Sequence, residues 1–210
     1  MEKEKLSESV IMKTLDFAYE KAVNGFAGLD SAQEMAENYL AKGGTKIDMA
    51  NSLIRWQNTK ATTSGFLTGL PGLIAMPITI PANIASVLYV QIRMIAAIAH
   101  LGGHDIKDDK VKSLVYLCMA GNGAKDLLKD LGIVVGKKIA AQTIRNISGK
   151  TISAINQKVG FRLLTKFGEK GAINIGKAIP LVGGLIGGSF DLITTNVIGN
   201  VARNTFIDNE

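Results

Sequence analysis

The stretch that decides the fold is residues 61–101, ATTSGFLTGLPGLIAMPITIPANIASVLYVQIRMIAAIAHL. Residues 61–92 contain no charged side chain, and Arg93 is the only charge in the rest of the stretch. Proline starts or interrupts a helix because it lacks a backbone N–H and clashes with the preceding turn. Three prolines divide the stretch: Pro71, Pro77 and Pro81. The pattern predicts an apolar helical hairpin, with a short helix at 64–76 and, after a turn, a long helix at 81–101.

The C-terminal residues 171–207 repeat this plan. A proline is followed by a glycine-rich run at 181–190 and then by a helix to about Phe206. Glycines four residues apart form a flat strip on which another helix packs closely, in bilayers and in soluble cores alike. Such pairs occur at 65/69, 132/136, 183/187 and 184/188, and both uses of the strip stay open. The residues that define the two predicted hairpins are Gly65, Phe66, Gly69, Pro71, Pro77, Pro81, Pro180, Gly183, Gly184, Gly187 and Gly188.

The apolar runs are poorly matched to a bilayer, because a spanning helix needs about 20 apolar residues. Residues 64–76 reach only about 20 Å, and residues 178–190 are equally short before Asp191. Residues 82–101 are long enough, but Arg93 lies past their midpoint. We therefore expect hairpins that are buried at the centre of the fold, or inserted only partly or conditionally, rather than constitutive spans.

Amphipathic patterns on either side of the hairpins predict further helices, because apolar residues recur every three to four positions. A helix at 109–120 follows the first hairpin, and residues 124–167 form one or two basic helices. We expect a single all-α domain in which amphipathic helices cover the two central hairpins. Its predicted parts are N-terminal amphipathic helices at 1–60, the first hairpin and following helix at 61–123, basic amphipathic helices at 124–170 and the second hairpin at 171–207.

The positive charge is concentrated in one segment. The chain has a formal net charge of +6, and residues 131–190 hold nine bases and one acid, Glu169. This segment therefore carries +8 and the remainder of the chain −2. A one-sided basic segment attracts lipid headgroups or nucleic acid, and a solvated helix face is the equally weighted alternative. The nine bases are Lys137, Lys138, Arg145, Lys150, Lys158, Arg162, Lys166, Lys170 and Lys177.

Isolated charges in apolar helices predict a polar contact between the two hairpins, because a single buried charge is costly unless it is paired. Arg93 and Asp191 occupy similar places in the two hairpins, so we expect them to pair. Arg203 is the rival partner, since steps of four place it on the helix face of Asp191. We interpret these three residues as a structural clamp rather than as a substrate or ion site.

The sequence carries no motif for catalysis. Phosphate-binding loops, dinucleotide fingerprints and nucleophile elbows are absent, and Cys118 has no basic or histidine neighbour to activate it. His100 and His104 lie near three aspartates, but glycines separate the two histidines, and we interpret the aspartates as helix caps. We expect no enzyme activity, no cofactor and no metal. Nucleic acid is not an expected partner, because the basic segment has only three aromatic residues, Phe161, Phe167 and Phe190, and they show no stacking platform.

Composition indicates a folded protein of a reducing compartment. Charged residues make up 20% of the 210 positions, which is less than the roughly 25% of ordinary soluble domains. Hydrophobic residues make up 47%, and this high apolar content excludes global disorder. One cysteine excludes a disulfide scaffold. Residues 1–5 alternate acid and base with no apolar run directly after them, so we expect no secretory signal peptide. The expected location is the cytoplasm, with leaderless export as an open alternative.

Two passages resemble the EcsC protein family. The first is SGFLTGLPG at 64–72, which continues through prolines 77 and 81 to QIRMIAAIA at 91–99. The second is IPLVGGLIGGSFD at 179–191. The resemblance covers about residues 60–206. It implies an all-helical bacterial protein, and the founding member is encoded beside the ATPase and permease of an ABC transporter. It implies no established activity, cofactor or catalytic residue.

These observations together predict a non-enzymatic bacterial protein that associates peripherally with the inner membrane. The basic face and the apolar hairpins would contact anionic lipids or an integral membrane protein, in a role accessory to a transporter. One alternative is an antibacterial effector that inserts its hairpins and forms a pore. A second alternative is a soluble helical module that binds a ligand or a protein partner. The sequence leaves the oligomeric state open.

Overall fold

The computed structural model describes residues 7–26, 28–61, 82–132, 144–167 and 185–207, and for residues 60–61, 82–84, 167 and 185–194 it describes the backbone alone. Eight α-helices and one short 3₁₀ helix have both ends within these residues, which contain no β-strand. The helices are α1 (Glu8–Asn24), α2 (Ala32–Leu40), α3 (Lys46–Ala61), α4 (Ala82–Leu101), α5 (Asp109–Cys118), the 3₁₀ helix (Gly121–Gly123), α6 (Ala124–Asp130), α7 (Gly149–Phe167) and α8 (Leu185–Phe206).

Helix α4 lies at the centre of the fold. Every side chain from Leu88 to Ala99 is buried, and the helix packs against α1, α2, α3, α5 and α8. A helix that is apolar on all sides is stable in water only when other elements cover it. The amphipathic helices supply that cover and leave their polar faces to solvent. The prediction of an all-α single domain is confirmed, and the long helix predicted at 81–101 is α4.

Local signals set most helix ends. Ser31 and Glu34 form a capping box at the start of α2, in which each side chain accepts a hydrogen bond from the backbone N–H of the other residue, at 3.1 and 2.7 Å. The Asp108 carboxylate accepts from the N–H of Lys110 at the start of α5. Gly103, with φ +86°, ends α4, since this left-handed backbone favours glycine. These ends agree with the sequence patterns.

Close backbone contacts hold α8 against the rest of the core. A Cβ atom on Gly199 would lie 2.7 Å from Cγ1 of Ile54, so α8 approaches α3 more closely than a side chain allows. A Cβ atom on Gly102 would lie 2.1 Å from the carbonyl oxygen of Phe206. The turn after α4 therefore packs directly on the C-terminal end of α8.

The structure describes only a part of the glycine-rich segments of the predicted hairpins. The predicted helix at 64–76 and its turn lie outside the described residues, as do Gly65, Phe66, Gly69, Pro71, Pro77, Pro81, Pro180, Gly183 and Gly184. Gly187 and Gly188 lie in the first turn of α8. The prediction for Gly132 was wrong: its φ of +69° places it after the end of α6 rather than on a helical strip. No helix among the described residues is long and apolar enough to cross a bilayer.

Candidate functional site

Helix α7 carries the described part of the basic segment. Its apolar residues recur on one face, and Ile155, Val159 and Leu163 are buried. Because this face packs against α1, α5 and α6, the polar positions of the helix point outward. Residues 144–167 hold five bases and no acid. Arg145 precedes the helix and the other four bases lie on it, so α7 and the residues just before it present a cationic surface to solvent.

The five cations of this surface differ in their surroundings. Arg145, Lys150 and Arg162 are exposed, and Lys166 is half-buried. Lys158 forms an ion pair with Asp130 of α6 at 3.0 Å, with both side chains partly exposed, and such surface pairs contribute at most about 1 kcal/mol to stability. The other four predicted bases, Lys137, Lys138, Lys170 and Lys177, lie outside the described residues.

An exposed aromatic side chain accompanies these cations. Phe161 is 57% exposed, and it lies eleven residues after Lys150 on α7. At 3.6 residues per turn, this spacing places the two residues within about 20° of each other around the helix axis but about 16 Å apart along it. Lys158, three residues before Phe161, is the cation that neighbours the ring on this side of the helix. A large apolar ring held in water beside cations is typical of a surface that meets a membrane or a partner.

A cavity of about 430 Å³ lies beside this surface, between α7, α8 and the 3₁₀ helix. We name it the α7–α8 cavity. Its apolar lining comes from the buried Met119, Leu163 and Ile198 and from the partly exposed Val197. Its lining residues are Met119–Asn122, Arg162, Leu163, Thr165, Lys166, Val197 and Ile198. The cavity therefore combines apolar side chains with two cations of α7.

Gly123 makes room for one of these cations. A Cβ atom at this position would lie 2.2 Å from Cζ of Arg162 and 2.2–2.5 Å from its terminal nitrogens. The guanidinium group therefore lies directly against the backbone of the 3₁₀ helix. Arg162 also lines the α7–α8 cavity.

A second cavity, of about 450 Å³, lies between α2 and α3. Tyr39 and Trp56 contribute aromatic rings to it, and Lys42 and Arg55 contribute cations. The Lys42 ammonium lies 4.6 Å from the centre of the Tyr39 ring. Asp48 also lines this cavity, so its charge is mixed, whereas the α7–α8 cavity has no acid among its lining residues.

Arg93, predicted to belong to a clamp, is a buried cation of the central helix. It is 3% exposed. Its Nη1 donates a hydrogen bond to the backbone carbonyl of Asp30 at 3.1 Å. Its guanidinium carbon lies 5.5 Å from the centre of the Tyr89 ring. Burial lowers the pKa of Arg93 from its ordinary value. The side chain of Asp191 lies outside the description, so the Arg93–Asp191 pairing stays a prediction.

Arg203, the other predicted member of the clamp, contacts α3. It donates a hydrogen bond to the Asn51 side-chain oxygen and is half-buried. Asp191 and Arg203 are twelve residues apart on α8, or about 18 Å along the helix axis, which is too far for an ion pair between them. Four residues before Gly199 on the same face, Thr195 accepts a buried hydrogen bond from Gln91 at 3.1 Å. The face of α8 that carries Thr195, Gly199 and Arg203 therefore packs on α3 and α4.

Several polar partners were missed by sequence reasoning. Gln91 interrupts an apolar helix two residues before Arg93, and that interruption was a usable signal. Asn51 sits in an ordinary amphipathic pattern, and the partner of Arg93 is a backbone carbonyl, which any residue provides. These two contacts depend on tertiary packing and have no signature in the sequence.

The reactive side chains have structural contacts. Cys118 is buried, and burial raises the pKa of its thiol to about 12, which leaves too little thiolate at neutral pH for a nucleophile. The imidazole Nε2 of His104 lies 3.0 Å from the carbonyl oxygen of Phe206. Within the part of the chain that the structure describes, no three His, Cys, Asp or Glu side chains converge as a metal site would require.

The comparisons with known proteins identify a family. No curated protein and no solved structure matches the chain significantly. The model of the EcsC protein family matches residues 5–207, and the match includes every described helix. Because it covers nearly the whole chain, this protein belongs to the EcsC protein family.

Proposed function

We propose that this protein is a non-enzymatic bacterial protein that associates peripherally with the cytoplasmic face of the inner membrane. The observation that carries the proposal is the cationic surface of residues 144–167, which hold five bases and no acid, four of the bases on α7. Anionic leaflets attract such segments by about 1 kcal/mol for each Lys or Arg near the surface. Attraction of this size gives weak, reversible and salt-sensitive binding.

Apolar contact adds to this attraction. The exposed ring of Phe161 lies on the same side of α7 as Lys150 and is able to enter the headgroup region when the cations reach it. The uncharged sequence at 61–81 is a further source of apolar contact. Two weak signals of different kinds hold a protein at a membrane better than either does alone.

Co-sedimentation with vesicles tests the proposal. We expect the protein to bind vesicles that contain phosphatidylglycerol at low salt, to bind phosphatidylcholine vesicles much less, and to be released as salt rises, because salt screens exposed charges. The triple variant R145Q/K150Q/F161A should lose most of this binding. Its matched control, K46Q/K107Q/L40A, removes two exposed lysines and one exposed leucine from other elements and should bind as the wild type does.

The result also separates the proposal from its alternatives. Absence of binding to anionic vesicles at low salt would reject peripheral association with lipid. Dye release from intact vesicles would favour the pore-forming effector, for which the 32 uncharged residues at 61–92 are the supporting observation. The peripheral protein should bind without releasing dye.

A further inference from the structure

We propose that the α7–α8 cavity binds the phosphate group of one anionic phospholipid molecule, with Arg162 and Lys166 as the phosphate ligands. This inference rests on the proposed function and names a specific lipid site within it. General attraction to a charged surface requires only several cations that face outward. A site for one lipid requires cations that converge on a cavity with an apolar wall.

The two cations are placed for joint contact with one anion. Arg162 and Lys166 are four residues apart on α7, so their Cβ atoms are neighbours about 6 Å apart on the same side of the helix. Both line the cavity. The planar guanidinium of Arg162 suits two phosphate oxygens at once, and the Lys166 ammonium adds a compact charge.

The guanidinium of Arg162 lies against the backbone of the 3₁₀ helix. A methyl group on Gly123 would collide with it. Gly121, with φ +58°, lies close to α8, because a Cβ atom there would be 3.4 Å from Cγ1 of Val197. Arg162 is exposed, so a phosphate group is able to reach it from solvent.

The shape and polarity of the cavity fit a lipid better than a free phosphate. Its volume of about 430 Å³ falls in the range of about 300–1,000 Å³ that is usual for small-molecule sites. A phosphate ion would fill only a small part of it. The partly exposed Val197 offers an apolar contact for the glycerol and first methylene groups of a lipid, and none of the lining residues is acidic.

The test uses the whole protein and a short-chain phosphatidylglycerol below its micelle concentration, so that no membrane surface is present. We expect saturable binding by titration calorimetry. R162Q and K166Q should each weaken the affinity at least tenfold. G123A should do the same, because the new methyl group displaces the guanidinium, and since only the flexible end of a side chain has to move, the melting temperature should stay near that of the wild type. The matched control K46Q removes an exposed cation from α3 and should change the affinity less than twofold.

Each outcome bears on the inference separately from the proposed function. Lipid binding that R162Q and G123A weaken and K46Q does not would support the site, even if the protein failed to bind vesicles. Vesicle binding without saturable binding of the monomeric lipid would overturn the site and leave peripheral association standing. Equal losses for R162Q, K166Q and K46Q would also overturn it. Inorganic phosphate that binds as tightly as the lipid would overturn the lipid assignment and indicate a small-anion site.

Discussion

Arg93 combines a full charge with nearly complete burial, so its contacts have to offset a large loss of hydration. The contacts in the described structure are one hydrogen bond to the carbonyl of Asp30 and the face of the Tyr89 ring. A hydrogen bond from a charged donor contributes about 1.5–3 kcal/mol, and a desolvated cation–π contact about 2 kcal/mol. The hydrogen bond to Asp30 also joins the central helix to the loop between α1 and α2.

Replacing Arg93 by alanine should lower the free energy of unfolding by about 2–4 kcal/mol, because the truncation leaves a cavity in the core and the Asp30 carbonyl loses its donor. Urea denaturation measures the loss. R55A, which truncates an exposed arginine of α3, is the control and should change stability by less than about 0.5 kcal/mol. A variant R93A as stable as R55A would contradict the role of the buried side chain.

A double-mutant cycle of R93A and D191N tests the predicted pairing in the same assay. If the two side chains pair, the losses are not additive, and the coupling exceeds about 0.5 kcal/mol. Additive losses would show that Asp191 lies apart from Arg93. The stabilising contact to Asp30 would then account for the burial of the arginine.

At the scale of the element, the sequence predicts where helices end better than it predicts which other elements they contact. The capping box at Ser31, the aspartate cap of α5 and the glycine end of α4 depend on a few neighbouring residues. The contact of Arg162 with Gly123 joins residues that are 39 positions apart, so it depends on how α7 packs against the 3₁₀ helix and has no local signal in the sequence. Glycine spacing alone misplaced Gly132, because the same residue suits a helical strip and a left-handed helix end.

The packing of α4 against the end of α8 depends on Gly102. A methyl group there would lie 2.1 Å from the Phe206 carbonyl oxygen and overlap it. The methyl carbon is bonded directly to the backbone and the carbonyl is part of the backbone, so neither group moves aside easily. G102A should lower the free energy of unfolding by about 3 kcal/mol. The control G149A adds a methyl group where nothing lies within 4 Å and should leave stability unchanged or slightly raised. Equal stability of both variants in urea would show that the two helix ends are not packed this closely.

At the scale of the whole molecule, one feature joins the N-terminal helix to the middle of the chain. Tyr116 donates a hydrogen bond to the Asp16 carboxylate at 2.8 Å, and Tyr19 donates one to the carbonyl of Ile106 at 2.6 Å. Lys112 forms an ion pair with Asp16 at 2.6 Å and lies 5.6–5.7 Å from the centres of both rings. Both phenols act as donors, so this network needs both tyrosines in the protonated form.

Alkaline pH should therefore unfold the protein. Burial raises the pKa of all four tyrosines, and nearby carboxylates raise the pKa of Tyr19 and Tyr116 further. Above the ordinary pKa of about 10 the unfolded chain binds fewer protons than the folded chain, so the free energy of unfolding falls as pH rises, whereas below it the tyrosines add no pH dependence. Tyrosinate absorbance should increase together with the loss of helical circular dichroism. Y116F should reduce this slope, and the control Y39F, at a half-buried site, should reduce it less. Tyrosines that ionise near pH 10 while the helices persist would contradict the network.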